Sequence, residues 1–157
     1  METFEEIVEA HGTVVWRVCR SMLPASDADD AWSETFLSAL QAYTNLPSGG
    51  NVRAWLVTIA YRKAIDQIRA ASRRPDPSAT LPEHSSCDSS RFEHDDLRAS
   101  LRVLSDRQRR AVVYRHLGDV SYADLAELLG CSPAAARRSV ADGIANIRKH
   151  FKQGETP

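Results

Sequence analysis

Apolar residues recur at three- and four-residue spacing through most of this chain, and short breaks rich in Gly, Pro and Ser separate the runs. That spacing is the period of a helix with one buried face. Phe4, Ile7, Val8, His11, Val14, Val15, Val18 and Met22 trace one such face, and Pro24 ends it. Ser26 followed by Asp29 reads as a capping box, a side-chain acceptor with an acid three residues on. Trp32, Phe36, Ala39, Leu40 and Tyr43 are then expected to point inward. Leu46-Pro47-Ser48-Gly49-Gly50 cannot continue a helix. A third helix is expected over residues 52–71, with Trp55, Leu56, Ile59, Ala60, Ala64 and Ile68 on its apolar side.

Periodicity then stops. Residues 75–90 hold Pro75, Pro77, Pro82 and five serines, the composition of a linker. A helix resumes near Arg91 with Phe92, Leu97, Leu101 and Leu104. Ser105 with Gln108 opens the next, whose core candidates are Ala111, Val112, Val113, Tyr114 and Leu117. Ser121 with Asp124 opens a short one carrying Leu125, Ala126, Leu128 and Leu129, and Gly130 ends it. Ser132 then caps a last helix with Pro133 at its first position, where a missing N–H costs nothing. Val140, Ile144, Ile147 and Phe151 line that helix.

The expected fold class is all-α. Two small helical domains, residues 1–74 and 91–153, are joined by a flexible linker at 75–90. The second contains a helix-turn-helix, whose second helix can enter a DNA major groove with its N-terminal residues at the base edges.

Bulk charge says little, since the net charge is −1. Its distribution says more. Residues 1–44 carry eight acids (Glu2, Glu5, Glu6, Glu9, Asp27, Asp29, Asp30, Glu34) against Arg17 and Arg20. Residues 45–74 carry six bases (Arg53, Arg62, Lys63, Arg69, Arg73, Arg74) against Asp66. Acids at a helix start are stabilised by the helix dipole, and that alone accounts for the first cluster. A basic helix interleaved with Trp55 and Tyr61 has the composition that meets phosphates and stacks on unpaired bases. Cys19, Cys87 and Cys131 are widely spaced and odd in number, which argues against a disulfide framework or a metal site. Five scattered histidines, no glycine-rich phosphate loop and no nucleophile–base pair argue against an enzyme. No catalytic residue, metal or cofactor is expected. No apolar run is long enough to span a membrane and no leader is evident, so a cytoplasmic location is expected.

In this order the pieces resemble the extracytoplasmic-function sigma factors, small two-domain bacterial members of the sigma-70 family. Asp27-Ala28-Asp29-Asp30-Ala31-Trp32-Ser33-Glu34-Thr35-Phe36 resembles that family's polymerase-binding helix. Arg53-Ala54-Trp55-Leu56 and Ile59-Ala60, followed by Ala64, Asp66 and Arg69, resemble its promoter-melting helix. Leu104-Ser105-Asp106-Arg107-Gln108-Arg109 and Ser121-Tyr122-Ala123-Asp124-Leu125-Ala126 resemble the entry to its last domain.

The resemblance implies that Asp29, Asp30, Glu34, Thr35 and Phe36 dock on core RNA polymerase. It implies that Asn51, Arg53, Trp55, Arg62, Lys63, Asp66 and Arg69 hold the opened “−10” element of promoter DNA. It gives Ser132, Arg137, Arg138, Ser139, Asp142 and Arg148 to the duplex “−35” element. It also implies an anti-sigma factor as a partner, and neither a membrane nor a small-molecule substrate. The reading helix departs from the family's pattern. Ala135-Ala136, Ser139 and Asp142 occupy places where the family often has Thr-Val and arginines, which predicts fewer phosphate contacts. Asp142 either accepts from a cytosine amino group or pairs with Arg138 one turn earlier. Two other readings share the helix-turn-helix: a stand-alone DNA-binding regulator, and a sigma-like interaction module that does not initiate transcription.

Overall fold

The computed structural model describes residues 2–46, 51–73 and 89–155. Residues 75–88 of the linker expected at 75–90, Cys87 among them, and the Pro47–Gly50 break lie outside them; the last two linker residues, Ser89 and Ser90, are instead the first of a helix. Every regular element among the described residues is helical.

α1 spans Phe4–Met22. Its start is a complete capping box that the periodicity did not mark: Thr3 Oγ1 accepts from Glu6 N–H, and Glu6 accepts in return from Thr3 N–H at 2.8 Å. α2 spans Ala25–Ala42 and begins without a side-chain cap. The Ser26–Asp29 box does not form, because the helix starts two residues early and Ser26 is already inside it. Pro24 leads in, its carbonyl accepting from Ala28 N–H at 2.8 Å. α2 ends in a single tight turn, Tyr43–Asn45. α3 spans Val52–Arg73 and is capped by Asn51, whose Oδ1 accepts from Ala54 N–H at 3.2 Å.

α1, α2 and α3 pack on one another through Ile7, Val15, Val18, Ala28, Ala39, Leu56 and Ala60, all essentially without exposure. Trp32 ties α2 to α1 by donating to the Gly12 carbonyl at 2.9 Å. Leu40 is a correction: it is 51% exposed, because it stands about 100° round the helix from Ala39 and falls off the core stripe. A Cβ on Gly12 would meet only Trp32 Cζ2, at an ordinary 3.5 Å. Gly12→Ala is therefore expected to stabilise the chain by about 0.5–1 kcal/mol, since helical Gly costs that much against Ala. Thermal unfolding should rise by roughly 1–4 °C.

α4 spans Ser89–Arg102, and α5 spans Asp106–Val112. Ser105 caps α5 by accepting from Gln108 N–H, but the box is only half made. The Gln108 side chain instead accepts from Asn146 Nδ2 at 2.9 Å. The expected continuous helix through Leu117 changes character after Val112, widening into a π-helical turn over Val113–Leu117. α6 spans Tyr122–Leu129 and α7 spans Pro133–Glu155. Gly130 between them takes φ +68°, as the helix-turn-helix reading requires, and Ser132 Oγ accepts from Ala135 N–H at 3.1 Å. Ala136 and Val140 seat α7 against α5 and α6. Phe151, expected on that face, is 42% exposed, because α7 runs on past its partners.

The two halves do not stand apart. α1 packs on α4 and on the π-helical turn, which also reaches α3. Tyr61 of α3 meets Tyr114 edge-on, centroids 5.3 Å apart, and donates to Asp106 at 3.3 Å. Burial, then the Asp106 carboxylate, push the Tyr61 phenol up to about 12. Gly118 lies so close to α3 that a Cβ there would sit 2.8 Å from Val57 Cγ1.

Candidate nucleic-acid interface

α2 turns its acids outward. Asp29, Asp30 and Glu34 are exposed, and Asp27, Asp30, Ser33 and Glu34 line a polar cleft with Gln67, Ala70 and Ala71 of α3. Thr35 and Phe36 do not join them. Thr35 is fully buried with its hydroxyl donating to the Ala31 carbonyl at 2.6 Å, and Phe36 is 6% exposed against Trp32 and Phe4. In their place the solvent face carries Leu37 and Leu40, 57% and 51% exposed. They were missed because a leucine in an amphipathic helix reads by default as core. Their phase is the available signal: Asp30, Glu34 and Leu37 follow at four- and three-residue steps, one face of α2.

α3 presents its basic side in two places. Asn51, Arg62, Asp66 and Arg69 are exposed, while Arg53, Trp55 and Lys63 are half-buried. Trp55, Arg62, Asp66 and Arg69 follow at seven-, four- and three-residue steps and so share a face. Arg53 stands apart, beside His11, whose imidazole is held below its usual pKa by burial and by that guanidinium. Asn51, Trp55, Thr58 and Arg62 line one cleft together with Asp124, Glu127 and Leu128 of α6. Arg62, Asp66 and Arg69 line a second with Asp106, Arg110 and Tyr114.

α7 carries the third group. Ser132, Arg137, Arg138, Asp142 and Arg148 are exposed along it. Arg137 lies over the Tyr122 ring, 5.1 Å from its centroid, and Arg115 lies 4.4 Å from the same centroid. A flat ring faced by two guanidiniums restrains the Arg137 side chain near the start of α7. Ser139 is half-buried and accepts from Arg107 Nε at 3.4 Å. Of the two roles expected for Asp142, the ion pair with Arg138 does not form among the described residues. No described group of three or more His, Cys, Asp or Glu is placed to hold a metal, and no described helix is long and apolar enough to cross a membrane.

The geometry is thus an acidic–apolar face, a basic face with an aromatic in it, and a helix-turn-helix. Comparison with known proteins matches the chain in two stretches. Residues 7–74 match the family model for sigma-70 region 2, and residues 94–147 match that for sigma-70 region 4. The ECF RNA polymerase sigma factor SigC of Mycobacterium tuberculosis is 32% identical over 143 residues, covering 87% of this chain and 77% of that protein. The RNA polymerase sigma factor CarQ of Myxococcus xanthus is 29% identical over 158 residues, covering 94% of this chain and 88% of that protein. Among solved structures, CnrH in complex with the cytosolic domain of CnrY superposes with a TM-score of 0.74 at 24% identity, over 98% of this chain and 89% of that one. The sigma factor RpoE of Bartonella quintana, in complex with the anti-sigma factor NepR, superposes at 0.67 with 20% identity, over 94% and 95%. The last two show a shared all-helical fold. With both regions present in order and a relative this similar along most of its length, the chain belongs to the extracytoplasmic-function RNA polymerase sigma factors, the subunits that direct polymerase to promoters.

Proposed function

We propose a division of labour among the three faces. The outward side of α2, with Asp29, Asp30, Glu34, Leu37 and Leu40, docks on core RNA polymerase. Thr35 and Phe36 serve that docking from inside, by seating α2 on α1. The α3 side with Asn51, Trp55, Arg62, Lys63, Asp66 and Arg69 holds the unpaired “−10” strand, with Arg53 supporting its start. α7 reads the “−35” duplex, with Arg137, stacked on Tyr122, reaching base edges and Arg138 and Arg148 meeting phosphates. Ser132 and Asp142 flank that set, and Ser139 supports it through Arg107. The chain makes and breaks no bond itself, acts in the cytoplasm and needs no cofactor. By likeness to the complexes with CnrY and NepR, an inhibitory protein partner is proposed for it as well.

The observation that carries this reading is the sorting of charge. One chain presents an acidic–apolar face, a basic aromatic face and a groove-sized helix on three different elements. Transcription with purified core polymerase over a promoter library tests it. The expected result is a transcript from a subset of promoters sharing two spaced elements. A chain that neither co-migrates with core nor yields a transcript overturns it.

Salt dependence gives a finer check. Replacing Arg148 by Ala is expected to weaken holoenzyme binding to all promoters alike and to lower the slope of log K against log salt by about one, the mark of one lost phosphate contact. Changed preference among promoters instead would make Arg148 a base reader.

A further inference from the structure

Away from the three faces, a cavity of about 160 Å³ lies between α1, α3, α4 and α5. α1 and α3 supply Met22, Ile65 and Ile68 to its wall, and α4 supplies Leu101. All four are apolar, and Met22 and Leu101 are buried. The volume suits a six-membered ring, since an engineered cavity of about 150 Å³ with a similar lining takes up benzene.

The rest of the wall is cationic, formed by Arg98, Arg102 and Arg109. Arg109 is already engaged. Its Nε and Nη2 donate to the Leu101 and Leu104 carbonyls, both at 2.9 Å, and its Nη1 lies 3.8 Å from Asp106. Arg98 is engaged on one side only. Its Nη2 pairs with the half-exposed Asp95, but its Nη1 is buried with no hydrogen-bond partner among the described residues. The Arg98 side chain as a whole is only 17% exposed. A buried charged donor without an acceptor is costly, and an acceptor arriving from the cavity relieves that cost.

We propose that this cavity binds a small monocarboxylate with an apolar body of about six carbons. The carboxylate meets Arg98, and the body lies among Met22, Ile65, Ile68 and Leu101. The planar guanidinium fork matches a carboxylate, and the charge on both partners strengthens the bond. One negative charge is the fit, because carbonyls and Asp106 already hold Arg109. An uncharged body of the same size fills the volume but forgoes the charge-assisted hydrogen bond. None of the lining residues belongs to the faces assigned to polymerase or DNA, so the inference stands apart from that reading. The ligand touches α1 and α3 on one side and α4 on the other, so its binding stabilises the folded chain.

Titration calorimetry of the full chain with sodium benzoate and with sodium hexanoate tests this. One site per chain is expected. Benzyl alcohol should bind about ten- to a hundredfold more weakly than benzoate, the weight of a hydrogen bond to a charged group. At about a hundredfold excess over its Kd, benzoate should raise the midpoint of thermal unfolding by roughly 5–10 °C. Arg98→Met keeps an unbranched apolar stem and removes the guanidinium. It is expected to bring benzoate down to the level of benzyl alcohol and to leave benzyl alcohol unchanged. Ile68→Phe adds bulk at the wall and should abolish binding of both. Absence of saturable binding by benzoate and hexanoate overturns the proposal. So does undiminished benzoate affinity in Arg98→Met, which would put the carboxylate elsewhere. Undiminished affinity in Ile68→Phe overturns it too, by putting the ligand outside the cavity. Should Ile68→Phe fail to fold, the comparison of wild type with Arg98→Met decides alone.

Discussion

Changing Leu37 and Leu40 together to Asp is expected to abolish co-migration with core polymerase while leaving the fold intact. Both side chains are more than half exposed on the face that carries Asp30 and Glu34. Burying the rest of each leucine against a partner contributes about 1–1.5 kcal/mol, half the range for a full side chain. Replacing them with carboxylates forfeits that and adds the cost of desolvating two charges beside two existing acids. A loss of about 3 kcal/mol or more follows, at least a hundredfold in affinity. The free chain should not register the change, since exposed positions away from caps and cavities shift stability by about 0.5 kcal/mol or less. Gel filtration with core polymerase and thermal unfolding of the free variant make the pair of measurements. Unimpaired co-migration would move the docking face elsewhere.

The same two leucines show where legibility in the sequence stops. Period and caps placed the helices well: Val52, Ser105, Ser121, Gly130 and Pro133 each stand within a residue of an observed boundary. Side-chain caps fix those points locally, so a local reading finds them. Ser26 and Asp29 failed because Pro24 started α2 earlier, and a carbonyl hydrogen bond needs no recognisable side chain. Leu40 failed because hydropathy alone cannot tell a core leucine from one left on the solvent face. Thr35 and Phe36 were placed by resemblance to a motif, which records what a helix needs and not which side chains touch the outside. The π-helical turn at Val113–Leu117 and the closure of Asn51 on Asp124 are tertiary facts. The second joins residues 73 apart in the sequence, beyond any local reading. Asn51 illustrates the limit best: it caps α3 through one side-chain atom and reaches α6 through the other.

Gly143→Ala is expected to destabilise the chain by about 2 kcal/mol, the opposite of what the same change does at Gly12. Both glycines lie inside helices, and propensity alone favours alanine at each by up to about 1 kcal/mol. At Gly143, though, α7 lies directly against α5. A Cβ there would sit 2.6 Å from Val112 Cγ2 and 3.4 Å from the Gln108 carbonyl oxygen. Val112 is 4% exposed and has nowhere to move. Overpacking of this kind costs about 1–3 kcal/mol, and α7 must shift to relieve it. That shift also strains the Asn146–Gln108 hydrogen bond one turn on. Gly130 is a third case: nothing lies within 4 Å of its would-be Cβ, and its φ of +68° is what resists a side chain. Thermal unfolding of Gly143→Ala should fall by roughly 4–8 °C for a chain of this size. It should fall as one transition, because Val57, Tyr61, Tyr114 and Val113 bury both halves in a common core. A variant that melts in two steps, the first half unmoved, would show that the halves hold together less firmly than their shared core implies. An unchanged midpoint would show that α7 seats on α5 with room to spare.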